Sequence, residues 1–420
     1  MTRGWTFQEA VLSRRLLLFT DYQVEFICST SIWHECTTPG LQITHNDELW
    51  TSESVRDSPM MWGENLVNEI MPRSNKIRTN EGQLLAWLMA YNRRQLTYEA
   101  DALNAVKGIL SRNSFFTYLG LIIGRHGALD TSTQVPAPPT GEDAVGRMMA
   151  PFLVTLSWST KGMPLKRRYA FPSWSWLGWE GEVELWDYRF QYLDHTATLQ
   201  ARVWITKYDT SPSVPMCKSQ TQEDELVPLA QIAQEHMLQE GKEPSQVIPH
   251  CNNYIWVEGA MMNVSFELRH CVGIEGQLLQ VRDCSLGNRL LYLTYSYVDF
   301  RTLQLPTGDR NSPLFQRIVT EEWECLMISG HPWLGSFELR LLILEPNKHQ
   351  RDDVTEADDY YCVVGTVNLV VGLEGDDNSS PYELWEDVSL RRVAQEESHR
   401  RIGESLRRVC KSLRRRIKLG

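Results

Sequence analysis

The side chains best suited to metal or acid–base chemistry in this 420-residue chain are scattered. His34-Glu35-Cys36 and His270-Cys271 are close His/Cys groupings. Adjacent residues rarely aim at one ion, and no second half-site accompanies either grouping. Ordinary buried or half-exposed side chains are the better reading. The nine cysteines are odd in number and contain no C-x-x-C pair. That argues against a disulfide framework, a zinc ribbon and a finger, so no metal is expected. The chain also has no Gly-x-Ser-x-Gly elbow, no Gly-x-x-x-x-Gly-Lys-Ser/Thr phosphate loop, no Gly-x-Gly-x-x-Gly turn and no His-Glu-x-x-His helix. These absences leave no positive case for an enzyme or for a bound cofactor.

Charge is more informative. The net charge is −11, but residues 391–420 carry eleven Lys/Arg against three acids, which leaves −19 on the rest. An acidic body repels phosphate, so only the tail is suited to a polyanion. In that tail Ile402, Leu406, Val409, Leu413 and Ile417 recur at helical spacing, and arginines fill the other faces. This predicts a basic amphipathic helix over 391–420, with Arg407–Lys418 as its charged core. Three partners suit it: the chain's own acidic surface, an anionic membrane or nucleic acid; a nuclear address is a further use of the same charges. Docking on the acidic body is preferred, because it covers the apolar stripe. No run approaches the ~20 apolar residues of a membrane span, and charged residues interrupt every apolar run near the N-terminus. A cytoplasmic location is the expectation.

The surrounding elements come from periodicity. Residues 4–13 predict a short helix with Trp5 and Leu12 on one face, and then strands at Leu16–Thr20 and Val24–Cys28. Residues 37–80 are polar and irregular. Helices are predicted over 81–93 and over Tyr98–Leu110, the latter with Thr97 as N-cap. A further helix over Met148–Trp158 tolerates Pro151 only in its first turn. After Phe171–Trp179 the signal turns to strands: Ala201–Ile205, Tyr254–Val257, Leu278–Val281, Leu290–Tyr297, Trp323–Ile328, Leu341–Leu344 and Tyr361–Val371. Residues 345–359 read as a hairpin loop, and 227–240 as helical within a polar insertion.

The first residues carry a longer pattern. Arg3-Gly4-Trp5-Thr6-Phe7-Gln8-Glu9 leads into Leu12-Ser13-Arg14-Arg15 and an apolar strand. This resembles the closing block of the fungal heterokaryon-incompatibility (HET) domain. Two further segments resemble stretches downstream of that domain in long proteins of the family. One is Tyr91–Leu110, with Arg94, Leu96-Thr97, Asp101 and Leu103-Asn104-Ala105. The other is Phe171-Pro172-Ser173-Trp174-Ser175-Trp176-Leu177-Gly178-Trp179. Three blocks in the right order make the resemblance specific over residues 3–179. The two earlier blocks of the domain do not fit before residue 3, so the resemblance implies a chain lacking most of its signalling domain.

That resemblance implies a non-enzymatic recognition or regulatory protein, linked to programmed cell death on non-self recognition and acting through a protein partner. The alternative it implies is a TIR-like, NAD-cleaving effector. Such chemistry needs a carboxylate near the ribose to stabilise oxocarbenium charge, and Glu9 is the one available in the block. The competing reading is that Gln8 and Glu9 pair with Arg3 or Arg14 and cap local backbone. Arg94 and Asp101 read as anchors of a helix on its neighbour. Trp174 and Trp176 alternate on an extended segment, which puts both rings on one face. With Trp179 they read as a core or interdomain wedge rather than a base-stacking platform, which needs flanking basic charge.

The expected fold class is α+β: a HET-domain remnant (1–36), a helical region with a Trp-rich end (37–180), a strand-rich domain (181–390) and a basic terminal helix (391–420).

Overall fold

A computed structural model describes residues 4–19, 23–28, 32–35, 80–112, 115–125, 149, 151–160, 165–185, 199–206, 226–232, 254–270, 277–286, 289–290, 293–300, 313–333, 336–347, 360–371, 404, 406, 408 and 410–420. The fold mixes helices with a large strand-rich sheet. The chain divides into two compact units, Met1–Asn113 and Ser114–Gly420. This boundary falls inside the expected 37–180 region. The predicted helical middle contributes to both units, because the hairpin and Trp block after residue 113 belong with the strands.

In the first unit, α1 (Gly4–Leu12) precedes an antiparallel three-stranded sheet of β1 (Arg15–Phe19), β2 (Val24–Cys28) and β3 (Ile32–His34). The buried face of α1 is Gly4, Phe7, Ala10 and Val11. Trp5 is 45% exposed, so the expected Trp5/Leu12 face is not the one that packs. α2 (Asn80–Asn92) matches its prediction within a residue. The single helix expected over Tyr98–Leu110 is instead a 3₁₀ turn at Glu99–Asp101 and then α3 (Asn104–Arg112). Tyr98 is extended and its side chain makes no capping bond. The Tyr91 hydroxyl donates to the Ala102 carbonyl at 2.7 Å and pins the break.

The second unit opens with a hairpin, β4 (Phe115–Tyr118) and β5 (Leu121–Arg125). Its two-residue turn has positive φ at Leu119 (47°) and Gly120 (81°). That conformation matches the twist of the strands but strains a leucine. Residues 151–156 are helical, with Pro151 near the start as its chemistry requires. Short pairs come next: β6 (Ser159–Thr160) with β9 (Val183–Glu184), and β7 (Lys166–Arg167) with β8 (Trp179–Glu180).

The main sheet has eleven strands: β10 (Leu199–Gln200), β11 (Arg202–Thr206), β12 (Leu226–Pro228), β13 (Ile255–His270), β14 (Gln277–Leu286), β15 (Arg289–Leu290), β16 (Leu293–Phe300), β17 (Glu322–Trp333), β18 (Ser336–Asn347), β19 (Tyr360–Val371) and β20 (Arg414–Leu419). β13 pairs with both β17 and β20, so the ladder closes on itself through β13–β17–β18–β19–β20. Closure removes the unpaired edges that these five strands would otherwise expose. One face carries a core that includes Ala260, Met262, Val264, Phe266, Phe300, Trp323, Leu341 and Leu369, together with α4 (Pro313–Thr320) through Ile318. Phe266, Phe300 and Trp323 meet edge to face at centroid separations of 5.5 and 5.7 Å, a geometry set by ring quadrupoles.

The basic helix expected over the terminal residues does not run to the end of the chain. Residues 410–412 are helical, with Leu406 and Cys410 in the core, but Arg414–Leu419 is a strand. It lies antiparallel to β13 from Ile255↔Leu419 to Ala260↔Arg414. It touches β19 in parallel at Tyr361↔Leu419. The helical stripe ends at Leu413. Beyond it Ile417 and Leu419 alternate with Arg416 and Lys418, which is strand periodicity. The basic residues do meet the chain's own acids: Arg414 and Arg416 lie 3.8 and 3.5 Å from the Glu258 carboxylate. Among the described residues, no helix is long and apolar enough to cross a membrane.

Candidate functional site

The residues singled out by sequence fall into two separate places, one in each unit. In the first unit, α1 is seated by three contacts. The Gly4 amide donates to the Gln95 carbonyl at 3.0 Å. Gln8 Oε1 accepts from the Gly108 amide of α3 at 3.1 Å. The Arg94 guanidinium lies 4.5 Å over the Phe7 ring. A Cβ on Gly108 would come within 2.9 Å of the Gln8 and Leu12 side-chain ends, which would then have to shift. Arg94 is 6% exposed, so its anchoring partner is the aromatic face of α1. Asp101 sits in the 3₁₀ turn, its amide bonded to the Tyr98 carbonyl at 3.1 Å.

Glu9 is exposed on α1, and its carbonyl accepts from both the Ser13 amide and the Ser13 hydroxyl. Among the described residues its carboxylate has no ion-pair or hydrogen-bond partner, so the expected pairing with Arg14 is not made; Arg3 lies outside the described residues. The structure sets Gln8, not Glu9, into the helix packing. The side chains of His34, Cys36, His270 and Cys271 also lie outside the described residues. Among those described, no group of three or more His, Cys, Asp or Glu converges as a metal site.

In the second unit the segment Phe171–Trp179 is not extended, as the alternation implied. It is a compact run of turns ending in a 3₁₀ turn at Trp176–Gly178. Trp174 and Trp176 are fully buried, but by different partners. Trp174 stacks on Tyr118 at 6.2 Å, with planes 4° apart, and its carbonyl accepts from Trp158 Nε1 at 2.9 Å. Trp176 Nε1 donates to the Gly120 carbonyl at 3.0 Å. The Ser175 hydroxyl donates to the Leu119 carbonyl at 2.7 Å and accepts from the Leu177 amide at 3.1 Å. Ser175 and Trp176 together hold the left-handed Leu119-Gly120 turn, and such strain persists only where surrounding bonds fix it.

The two arginines before the motif are spent on backbone. Arg167 donates to the carbonyls of Arg168, Gly178 and Phe171, and its guanidinium lies over Tyr169 and Trp179. Arg168, 1% exposed, donates to the Trp179 carbonyl at 2.8 Å. Trp179 Nε1 in turn donates to the Ser173 carbonyl at 2.9 Å. A Cβ on Gly178 would lie 2.4 Å from the Pro172 carbonyl oxygen, so only glycine fits.

Sequence reading missed a buried polar group on the sheet. Arg340 and Glu338 of β18 are 3% and 4% exposed. Arg340 Nε lies 3.6 Å from Glu338 Oε1, and Arg340 also donates to Ser157 Oγ at 3.2 Å. Burial draws the Arg340 pKa down to about 10, so it keeps its charge at neutral pH. Asp299 of β16 accepts from the Thr160 amide at 2.8 Å and from its hydroxyl at 2.6 Å. These pairs tie residues 157–160 to the sheet across long stretches of sequence, 183 positions for Ser157 and 139 for Thr160. Nothing in the local pattern around Glu338 or Asp299 signalled it.

Comparison with known proteins gives no matching family model, no matching curated protein and no matching solved structure.

Proposed function

We propose that the chain is a non-enzymatic recognition or regulatory protein of the heterokaryon-incompatibility type, acting in the cytoplasm through a protein partner and linked to programmed cell death on non-self recognition. The observation that supports this reading is how the motif residues are used. In Phe171–Trp179 the serines, tryptophans and glycine are committed to backbone bonds and close packing. In the N-terminal block Gln8 and Phe7 seat α1 on its neighbours, while the Glu9 carboxylate belongs to no built constellation among the described residues. A motif spent on scaffolding serves the presentation of a surface better than bond cleavage.

The test is induced expression in fungal cells of the chain and of Glu9→Gln, reading viability and cellular NAD together. The proposed function expects death with both proteins and unchanged NAD. Death and NAD loss that both vanish in Glu9→Gln would establish the NAD-cleaving alternative instead.

A further inference from the structure

Two tryptophans outside the Trp-rich block, Trp204 and Trp256, also combine with cationic charge. They lie on the rim of the main sheet, where β11, β13 and β20 run side by side. The register puts Trp204 opposite Trp256 and Trp256 opposite Lys418. The next row on the same face is Arg202, Glu258 and Arg416. The alternate residues Val203, Ile205, Ile255, Val257, Ile417 and Leu419 are buried on the other side. The face with the rings and charges is therefore the outward one.

Its charges are arranged around its rings. The Arg416 guanidinium lies 4.2 Å over Trp204 and stays 44% exposed. Lys418 Nζ is 4.3 Å from the Tyr254 ring centre and 6.0 Å from that of Trp256. Arg414 flanks the row and donates to the Gln200 carbonyl at 3.1 Å. With Arg414 beside them, the cations Arg202, Arg416 and Lys418 of these rows share the face with one carboxylate, Glu258. The rest of the chain is acidic, so the local excess of positive charge is set against the protein's net −11.

We infer that this face is a binding surface for single-stranded nucleic acid. A sheet face that alternates cations with aromatic rings supplies both terms such a ligand needs. Phosphates pair with Arg202, Lys418 and Arg414. Unpaired bases stack on Trp256 and on the planar guanidinium that already caps Trp204. An acidic peptide would use the charges but not the rings. A duplex keeps its bases inside and offers the rings nothing to stack on. These residues lie outside the three resembling blocks, so the surface stands independently of the proposed function.

The experiment is fluorescence anisotropy of a labelled oligouridylate of about twelve nucleotides titrated with the full chain. Duplex DNA of equal length and phosphatidylserine vesicles are the competitors. The expected result is saturable binding that weakens with salt, with a log–log slope of about 2 for three phosphate contacts. Arg416→Gln with Lys418→Gln should weaken it about tenfold or more, and Arg202→Gln severalfold. Arg202 is exposed and lies outside β20, so it keeps the test valid if the double variant melts early. Absence of binding, binding indifferent to Arg202→Gln, or equal or tighter binding to duplex or vesicles would each overturn the inference.

Discussion

Ser173 holds Gly420. The Ser173 amide donates to the Gly420 carbonyl at 3.0 Å, and its hydroxyl donates to the same oxygen while accepting from the Val363 amide at 2.8 Å. The Gly420 amide donates to the Tyr361 carbonyl at 3.0 Å. One serine of the Trp-rich block thus fixes the end of the strand that closes the sheet, 247 positions away. A Cβ on Gly420 would meet the Tyr360 ring at 2.4 Å, which explains the small residue.

Ser173→Ala should therefore destabilise the second unit by about 1–3 kcal/mol, the cost of leaving buried donors and acceptors unmet. Urea denaturation monitored by tryptophan fluorescence reads it. Stability equal to that of the native chain would mean that water replaces the serine.

Trp174→Ala and Trp176→Ala should each cost about 3–5 kcal/mol, because both rings are fully buried. Trp5→Ala, at 45% exposure, should stay within about 0.5 kcal/mol. Parallel thermal melts compare the three. Equal losses at Trp5 and Trp174 would contradict this assignment of core and surface.

Gly178→Ala should be destabilising by about 1–3 kcal/mol although it adds a single methyl. The new carbon would crowd the Pro172 carbonyl and the Arg167 guanidinium at 2.4 and 2.6 Å. Those atoms carry the bonds that order the motif. Loss of near-ultraviolet circular dichroism at temperatures where the parent is intact is the expected signature.

The buried thiols should make stability fall at alkaline pH. Burial pushes Cys284 up to about 12 and Cys410 up to about 11, and raises Cys325 well above its usual value, with the neighbouring Cys284 adding to it. An unfolded chain loses these protons from about pH 9, while the fold keeps them. Their contribution is whole below about 9 and is lost as pH rises towards 11–12. Urea midpoints from pH 7.5 to 10 should decline at the upper end. Native-state alkylation at pH 8, resolved by mass spectrometry, should spare Cys284, Cys325 and Cys410 relative to half-buried Cys362.

The sequence by itself determined the local elements whose periodicity is unambiguous. The β1–β2 hairpin, α2 and the places, though not the lengths, of most strands between Arg202 and Val371 come from alternation, branching and apolar spacing in nearby residues. Leu226–Pro228, partly inside the stretch read as helical, is a strand, and β13 and β18 run well beyond their expected cores. It also marked Phe171–Trp179 as special. Only the tertiary structure decided what that segment does, because Ser173, Ser175 and Trp176 are defined by Gly420, Leu119 and Gly120, which lie far away in sequence. The same holds for the tail. Leu413 and Ile417 are four apart, as on a helix, yet β13 and β19 offer a slot whose backbone bonds go unmet unless Arg414–Leu419 extends into it. A stripe of five apolar residues is a weak local preference, and six antiparallel register pairs with β13 outweigh it.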